Sequence, residues 1–152
     1  ILLGIGGSGP TKRVSAKIFI DFINLVTQEH KCKFFLATGK NEEEQKILYE
    51  ILNTKYKDIC HALDDLSLSE ILPVIKICDF SICNDSSFSH LSSGLGVETI
   101  VLMTDTPLLY GNYSPRMHPI IPDGENDVTH NTLGKDRINP NKILEQLNKF
   151  LN

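Results

Sequence analysis

Long apolar runs and basic clusters are both missing from this sequence of 152 residues. No stretch approaches the roughly 18 consecutive apolar residues that a membrane-spanning helix requires, so no span is predicted. Lysines and arginines are scattered, and the formal net charge is −4. The sequence therefore lacks the electrostatic signature of a DNA- or RNA-binding protein, and we expect no nucleic-acid partner.

Paired cysteines are missing as well. The four cysteines, at positions 32, 60, 78 and 83, form no Cys-x-x-Cys pair, which is the spacing typical of zinc and redox sites. Cys60, Cys78 and Cys83 stand in apolar runs. We expect buried, reduced thiols in a cytoplasmic protein and predict no metal site.

A starting methionine and a targeting signal are also absent. The chain opens with Ile1-Leu2-Leu3-Gly4-Ile5, which is typical of a buried strand, and domains rarely begin with such a strand. The length suits one domain. We therefore expect residues 1–152 to form a single domain from the C-terminal part of a longer protein, whose N-terminal domain is absent from this chain.

Strand-like and helix-like patterns alternate along the chain. The predicted strands are 1–5, 33–37, 58–62, 79–83 and 98–103, and the predicted helices are 14–28, 42–52, 67–77, 87–95 and from 139 onwards. Pro73 predicts a later start or a kink in the third helix, and a short strand is predicted at 119–122 within the long ordered loop 104–138. This alternation predicts an α/β, Rossmann-like parallel sheet of five or six strands with helices on both faces.

Two loops at the carboxyl ends of predicted strands are the candidate site, since ligands bind parallel sheets at that edge. The first runs from Gly4 to Lys12, and the second from Asn84 to His90. Each is predicted to place small or hydroxylated residues with free backbone N–H groups at a helix N-terminus, which favours phosphate. Together they indicate a cleft for a phosphorylated ligand, in particular a nucleotide.

The first loop has several interpretations. Gly4-x-Gly6-x-x-Gly9 satisfies the dinucleotide fingerprint, but the second strand runs into Thr38-Gly39-Lys40 instead of the acid that holds an NAD ribose. The Walker pattern fails because Pro10 stands where lysine is required. A tight turn with solvated basic residues remains possible. Alternatively, Gly7 and Gly9 allow close backbone approach, Ser8 and Thr11 donate hydroxyls, and Lys12 or Arg13 neutralises a phosphate.

The second loop also has a plain structural interpretation, in which Asp85 or Ser86 caps the following helix. Ser86 and Ser87 are predicted to open that helix, with His90 on the same side of its first turn as Ser87. A Ser–His–Asp hydrolase is disfavoured because no Gly-x-Ser-x-Gly elbow surrounds any serine.

Taken together, residues 6–13 and 84–96 resemble the donor-binding half of family 9 glycosyltransferases, the ADP-heptose:lipopolysaccharide heptosyltransferases. Ser67-Leu68-Ser69-Glu70-Ile71-Leu72, Thr104-Asp105-Thr106-Pro107 and Ile138-Asn139-Pro140 extend the resemblance almost end to end. It implies the C-terminal half of a GT-B fold, which binds a nucleotide-diphosphate sugar, in particular an ADP-linked one, as substrate and needs no cofactor.

The resemblance also implies roles for individual residues. Ser8 and Lys12 match the pair that contacts the diphosphate, within a loop that includes Gly7, Gly9 and Thr11. The second loop, which closes on diphosphate and sugar, supplies Asp85, Ser86, Ser87, Phe88 and His90. Glu42 or Glu43 is the candidate for the ribose, and Leu63 for a place near the adenine. The family's catalytic base belongs to the absent N-terminal domain.

Two departures from the family pattern concern the sugar. Thr104 stands where the family has glycine, and Ser86-Ser87 replaces its Thr-Gly. The implied function is metal-independent transfer of a heptose-like sugar to a lipopolysaccharide-type or other glycan acceptor, bound through the absent domain. The full-length protein is then expected in the cytoplasm, in peripheral contact with the inner membrane. The alternatives are a non-catalytic nucleotide- or phosphosugar-binding module and, more weakly, an NAD-binding domain.

Overall fold

The computed structural model describes residues 1–7 and 9–152, and Ser8 lies outside the described residues. These residues form six strands and five α-helices in strict alternation up to β5. The strands are β1 Leu2–Gly4, β2 Phe34–Ala37, β3 Cys60–Ala62, β4 Phe80–Asn84, β5 Glu98–Leu102 and β6 Met117–Ile120. The helices are α1 Ala16–Glu29, α2 Glu42–Leu52, α3 Leu68–Lys76, α4 Ser87–Gly94 and α5 Pro140–Leu151.

All six strands pair in parallel, in the order β3-β2-β1-β4-β5-β6. The predicted parallel sheet is thus confirmed, and β6 begins and ends two residues before the predicted 119–122. The chain moves outward from β1 to β3, then returns across β1 to place β4 at its other side. The carboxyl ends of β1 and β4 therefore flank the point where the strand order reverses, which is where open α/β sheets bind ligands.

Successive side chains of each strand face opposite sides of the sheet, so the core consists of two layers. Leu3 faces the larger layer, which α1, α2 and α5 cover, whereas Leu2 faces the layer that α3 and α4 cover. The apolar stripe of α1 supplies Phe19 and Phe22, both completely buried. This arrangement confirms the prediction of helices on both faces.

Helix starts follow local capping rules. Ser67 and Glu70 form a capping box that fixes the start of α3 at Leu68. The predicted opening at Ser67 is therefore confirmed and the alternative of a later start is wrong, since Pro73 lies inside the helix. Asn139 caps α5, whose first residue is Pro140.

The four cysteines are free thiols. Cys60, Cys78 and Cys83 are buried, as expected, and Cys32 is half-buried. Burial raises the pKa of Cys83 to about 12 and that of Cys60 to about 11. Both thiols remain protonated near neutral pH, so neither is an activated nucleophile.

None of the helices in the described part of the chain is long and apolar enough to cross a membrane.

Candidate functional site

The two loops singled out in the sequence lie side by side at the carboxyl edge of the sheet. Gly4, the last residue of β1, pairs with Cys83 of β4. A Cβ on Gly4 would lie 2.6 Å from Cys83 Sγ and 3.2 Å from Phe88 Cβ. Only glycine permits this approach, which brings the start of α4 against the end of β1.

Asn84 fastens the first loop to the end of β4. Its side chain is completely buried, and its amide donates to the carbonyls of Ile5 and Gly6 at 3.0 and 3.2 Å. Its carbonyl oxygen accepts from the Val14 N–H at 3.3 Å. One side chain therefore holds both ends of the first loop, a role that sequence reasoning missed because the sequence pattern marks Asn84 only as the first residue of the second loop.

Glu44 supports the same loop from the other side. This buried carboxylate accepts a hydrogen bond from the Gly7 N–H at 2.7 Å and another from the Asn41 side chain. A Cβ on Gly6 would collide with it. Sequence reasoning missed Glu44 as well, although Asn41-x-x-Glu44 is the spacing of a capping box, and the Glu44 N–H does bond to Asn41.

The first loop differs from its prediction in two respects. Instead of offering free N–H groups throughout, this loop has the N–H groups of Gly6, Gly7 and Lys12 bonded within the protein. It does not form a helix N-terminus, because α1 begins at Ala16 with Ser15 as its N-cap. The intervening segment turns back on itself, and the Lys12 N–H donates to the Gly9 carbonyl at 3.0 Å. Arg13 points into the loop and donates to the Gly7 carbonyl at 2.7 Å.

Lys12 connects the two loops. Its Nζ lies 3.2 Å from Asp85 Oδ2, with the Asp85 side chain 4% exposed and that of Lys12 31% exposed. The hydroxyl of Thr106 donates to the same carboxylate oxygen at 2.6 Å. Asp85 therefore contacts both Lys12 and Thr106 and does not cap α4. Lys12 keeps N–H donors available for a second anion, because an ammonium group has three.

The second loop does form a helix N-terminus. Ser86 is the N-cap of α4 and Ser87 its first residue, as predicted. The Ser86 hydroxyl is buried without a hydrogen-bond partner in residues 1–7 and 9–152, and its side chain makes no cap bond. The start of α4 thus combines an unsatisfied hydroxyl with helix N–H groups that favour an anion.

His90 stands beside the same carboxylate. His90 Nε2 lies 3.9 Å from Asp85 Oδ1, and His90 Nδ1 lies 2.6 Å from the hydroxyl of Tyr113. The rings of His90 and Tyr113 stack with centroids 5.6 Å apart. Tyr113 is another residue that sequence reasoning missed, since it lies in the long loop 104–138.

That long loop lies beside the crevice. The Thr104 hydroxyl donates to the Thr11 carbonyl at 2.9 Å, and the Gly134 N–H donates to the Thr104 carbonyl at 2.9 Å. Asp105 accepts from the Leu133 N–H at 2.7 Å. The start of the long loop is thus bonded to the glycine loop and its end is bonded back to its own start, with Thr106 on Asp85.

The other predicted residues occupy varied environments. Gly7 is buried, Gly9, Thr11 and Phe88 are half-buried, and Ser87 is exposed. Glu42 is exposed as the first residue of α2 and Glu43 follows it, while Leu63 is buried against the apolar layer next to α3. The donor-binding roles of all these residues, and of Ser8 outside the described residues, stay predictions.

Two concavities of several hundred Å³ lie elsewhere on the surface. One of about 750 Å³ follows α2 from Glu42 to Asn53, and one of about 700 Å³ opens at the amino edge of the sheet beside Cys32 and Cys78. Neither brings a cation, a helix N-terminus and an unsatisfied hydroxyl together, so we assign the candidate site by chemistry and topology. No group of three or more metal-ligating side chains occurs within the described residues.

Comparison with known proteins identifies the family of this chain. The family model of glycosyltransferase family 9 (heptosyltransferase) matches residues 2–130. The chain belongs to this family. No curated protein sequence matches it significantly.

Solved structures show the same fold for family 9. E. coli heptosyltransferase WaaC with ADP superposes with a TM-score of 0.80 at 16% identity, over 97% of this chain and 43% of that one. For E. coli ADP-heptose LPS heptosyltransferase II the TM-score is 0.76 at 21% identity, over 99% of this chain and 46% of that one. A family 9 glycosyltransferase from Veillonella parvula gives 0.77 at 19% identity, with coverages of 99% and 46%. The chain thus spans less than half the length of these structures.

Proposed function

We propose that this chain holds the diphosphate of a nucleotide sugar, in particular an ADP-heptose-like donor, in the crevice between its two loops. The observation that carries the proposal is the Lys12–Asp85 contact of 3.2 Å, which joins the loops beside the start of α4. Family membership supports it, as do the related structures described with ADP and with ADP-2-deoxy-2-fluoro heptose.

The chemistry of glycosyl transfer requires that the negative charge developing on a diphosphate leaving group be stabilised. Lys12 offers a cation, the start of α4 offers N–H groups, and Ser86 offers an unsatisfied hydroxyl. Asp85, as an anion, holds Lys12 and accepts from a hydroxyl of the sugar. In this proposal these groups supply the charge that a metal ion supplies elsewhere, and the sequence has no Asp-x-Asp motif.

Transfer itself is proposed for the longer protein. The acceptor, a lipopolysaccharide-type or other glycan, and the catalytic base would be held by a further domain. The full protein would then act in the cytoplasm, peripherally on the inner face of the cytoplasmic membrane, where such acceptors are available.

Calorimetric titration with ADP, UDP, GDP and NAD tests the proposal. We expect ADP to bind best, and Lys12→Ala to weaken ADP binding by about 10- to 100-fold, because a charge-assisted contact contributes roughly 1.5–3 kcal/mol. Lys17→Ala is the matched control, since it removes the same charge from an exposed lysine paired with Asp21 of α1.

Equal binding of all four nucleotides, or equal losses in Lys12→Ala and Lys17→Ala, would contradict the proposal. A protein extended by its N-terminal domain that binds ADP but transfers no sugar would support the alternative, a non-catalytic nucleotide-binding module.

A further inference from the structure

We propose that Tyr113 is a positioning residue for His90, which it holds in one tautomer and one orientation toward the sugar of the donor. The Tyr113 hydroxyl lies 2.6 Å from His90 Nδ1, and the two rings stack at an interplanar angle of 18°. The stack fixes the plane of the imidazole, and the hydrogen bond fixes its rotation. The part of this inference that concerns the donor rests on the proposed function.

The partners of the two ring nitrogens select the tautomer. A neutral imidazole has one N–H donor and one acceptor nitrogen. Nε2 faces Asp85 Oδ1, an acceptor, at 3.9 Å, so a lone pair on Nε2 would meet the negative charge. The phenol is able to donate. The Tyr113 hydroxyl therefore donates to Nδ1, and the His90 proton lies on Nε2.

An oxygen atom of a ligand, placed to one side of the line from Nε2 to Asp85 Oδ1, would lie within hydrogen-bond distance of both. At 3.9 Å the two groups are beyond direct hydrogen-bond range. The other carboxylate oxygen, Oδ2, is occupied by Lys12 and Thr106, whereas Oδ1 faces His90. A hydroxyl is the group that accepts from Nε2–H and donates to Oδ1 together, whereas a phosphate oxygen would be repelled by Asp85. The chemistry thus indicates a sugar hydroxyl.

The loop that carries Tyr113 is held before any ligand arrives. Gly111 packs so closely on Met103 that a Cβ there would collide with the Met103 sulfur. The Met117 N–H donates to the Ser114 carbonyl at 3.0 Å, which joins the loop to β6. Tyr113 itself is 57% exposed, so its side chain contributes little to the core and its substitution tests position without unfolding the domain.

Tyr113→Phe removes the hydroxyl and keeps the stacked ring. Tyr110→Phe is the control, because Tyr110 is 49% exposed in the same loop and its hydroxyl makes no hydrogen bond within the described part of the chain. Ring ¹⁵N NMR of the ligand-free protein, with His90 assigned by comparison with His90→Gln, reads the tautomer directly. We expect a protonated Nε2 and a hydrogen-bonded Nδ1 in the unmodified protein, and a shifted Nδ1 signal in Tyr113→Phe alone. A protonated Nδ1 in the unmodified protein, or unchanged signals in Tyr113→Phe, would overturn the positioning role.

Calorimetry with ADP and with ADP-heptose tests the consequence for the ligand. Tyr113→Phe is expected to weaken ADP-heptose binding by about 3- to 10-fold, the effect of one neutral hydrogen bond, and to leave ADP binding within about twofold. Equal losses for both ligands, or none, would overturn the assignment to the sugar. Failure of the unmodified protein to bind ADP would instead overturn the proposed function, while the NMR result would still decide the role of Tyr113.

Discussion

Asn84 shows how a single amide organises the crevice. It must donate twice to carbonyls of the first loop and accept once from Val14, and an amide is the short side chain that does both. A carboxylate at this position would repel the carbonyl oxygens, and an aliphatic residue would leave all three backbone groups unsatisfied in a buried place.

We therefore expect Asn84→Ala to lower the free energy of unfolding by about 2–4 kcal/mol, because buried polar groups without partners cost about 1–3 kcal/mol each and relax only in part. Asn112→Ala, at an exposed loop position, should change it by less than about 0.5 kcal/mol. Urea denaturation measures both. A loss in Asn84→Ala no larger than in Asn112→Ala would show that the loop is held by other contacts.

Lys12 and Asp85 form one contact but differ in burial, so their removal is expected to differ. Asp85→Ala leaves the buried hydroxyl of Thr106 without its acceptor and should cost about 1–3 kcal/mol of unfolding free energy. Lys12→Ala should cost less than Asp85→Ala, since the lysine is partly solvated and Thr106 still donates to the Asp85 carboxylate. Thermal or urea unfolding of both variants checks the asymmetry, and a larger loss for Lys12→Ala would contradict it.

At the scale of elements, β1 and β4 approach as closely as they do because Gly4 has no side chain. Gly4→Ala would press a methyl group into Cys83 and Phe88, and overpacking of this kind typically costs about 1–3 kcal/mol. Gly94→Ala is the matched control, because a Cβ at the last residue of α4 meets nothing within 4 Å. There the same substitution should stabilise by up to about 1 kcal/mol, as alanine favours a helix over glycine. Denaturation curves that shift the same way in both variants would contradict this account of the strand contact.

The edge formed by β5 and β6 is expected to respond to acid through Glu98. This carboxylate is partly desolvated, which raises its pKa. Hydrogen bonds from His118 at 2.7 Å and from Arg116 lower the pKa by a larger amount, so the net pKa lies below the ordinary value of 4.5. A pKa that is lower in the folded protein adds stability above the unfolded value, and this stability is lost as the pH falls through the folded value.

The stability difference between the unmodified protein and Glu98→Gln should therefore be constant near neutral pH and shrink below about pH 4.5. Glu145→Gln, exposed on α5, is expected to give no such pH dependence. Unfolding free energies from pH 7 to pH 3 test this, and a difference that stays constant down to pH 3 would exclude Glu98 as a source of acid-sensitive stability.

At the scale of the whole molecule, the chain contains the groups that we propose bind the diphosphate, but it spans less than half the length of the related structures. We expect residues 1–152 alone to bind ADP and to transfer no sugar. A ligand that binds only the folded state raises its stability, by about 2.7 kcal/mol at a hundredfold excess over Kd. ADP should therefore raise the melting temperature, with no release of ADP from ADP-heptose in the presence of a glycan acceptor. Transfer by this chain alone would contradict the division of roles.

The sequence by itself determined the order and type of the elements, because each depends on residues that are neighbours along the chain. The α2 helix runs from Glu42 to Leu52 as predicted, and Ser86 and Ser87 open α4. Hydrophobic periodicity and capping act over a few residues, so a single sequence displays them. For the same reason the parallel sheet and its two candidate loops could be predicted.

Only the tertiary structure decided which side chains meet in the crevice. Asn84 contacts a loop 70 and more positions away, Thr106 completes the environment of Asp85, and Tyr113 reaches His90 from a loop without periodicity. Glu44, and not its exposed neighbours, turns toward the glycine loop. Such contacts arise because the crossover between β3 and β4 brings distant strand ends together, and no local pattern encodes that juxtaposition.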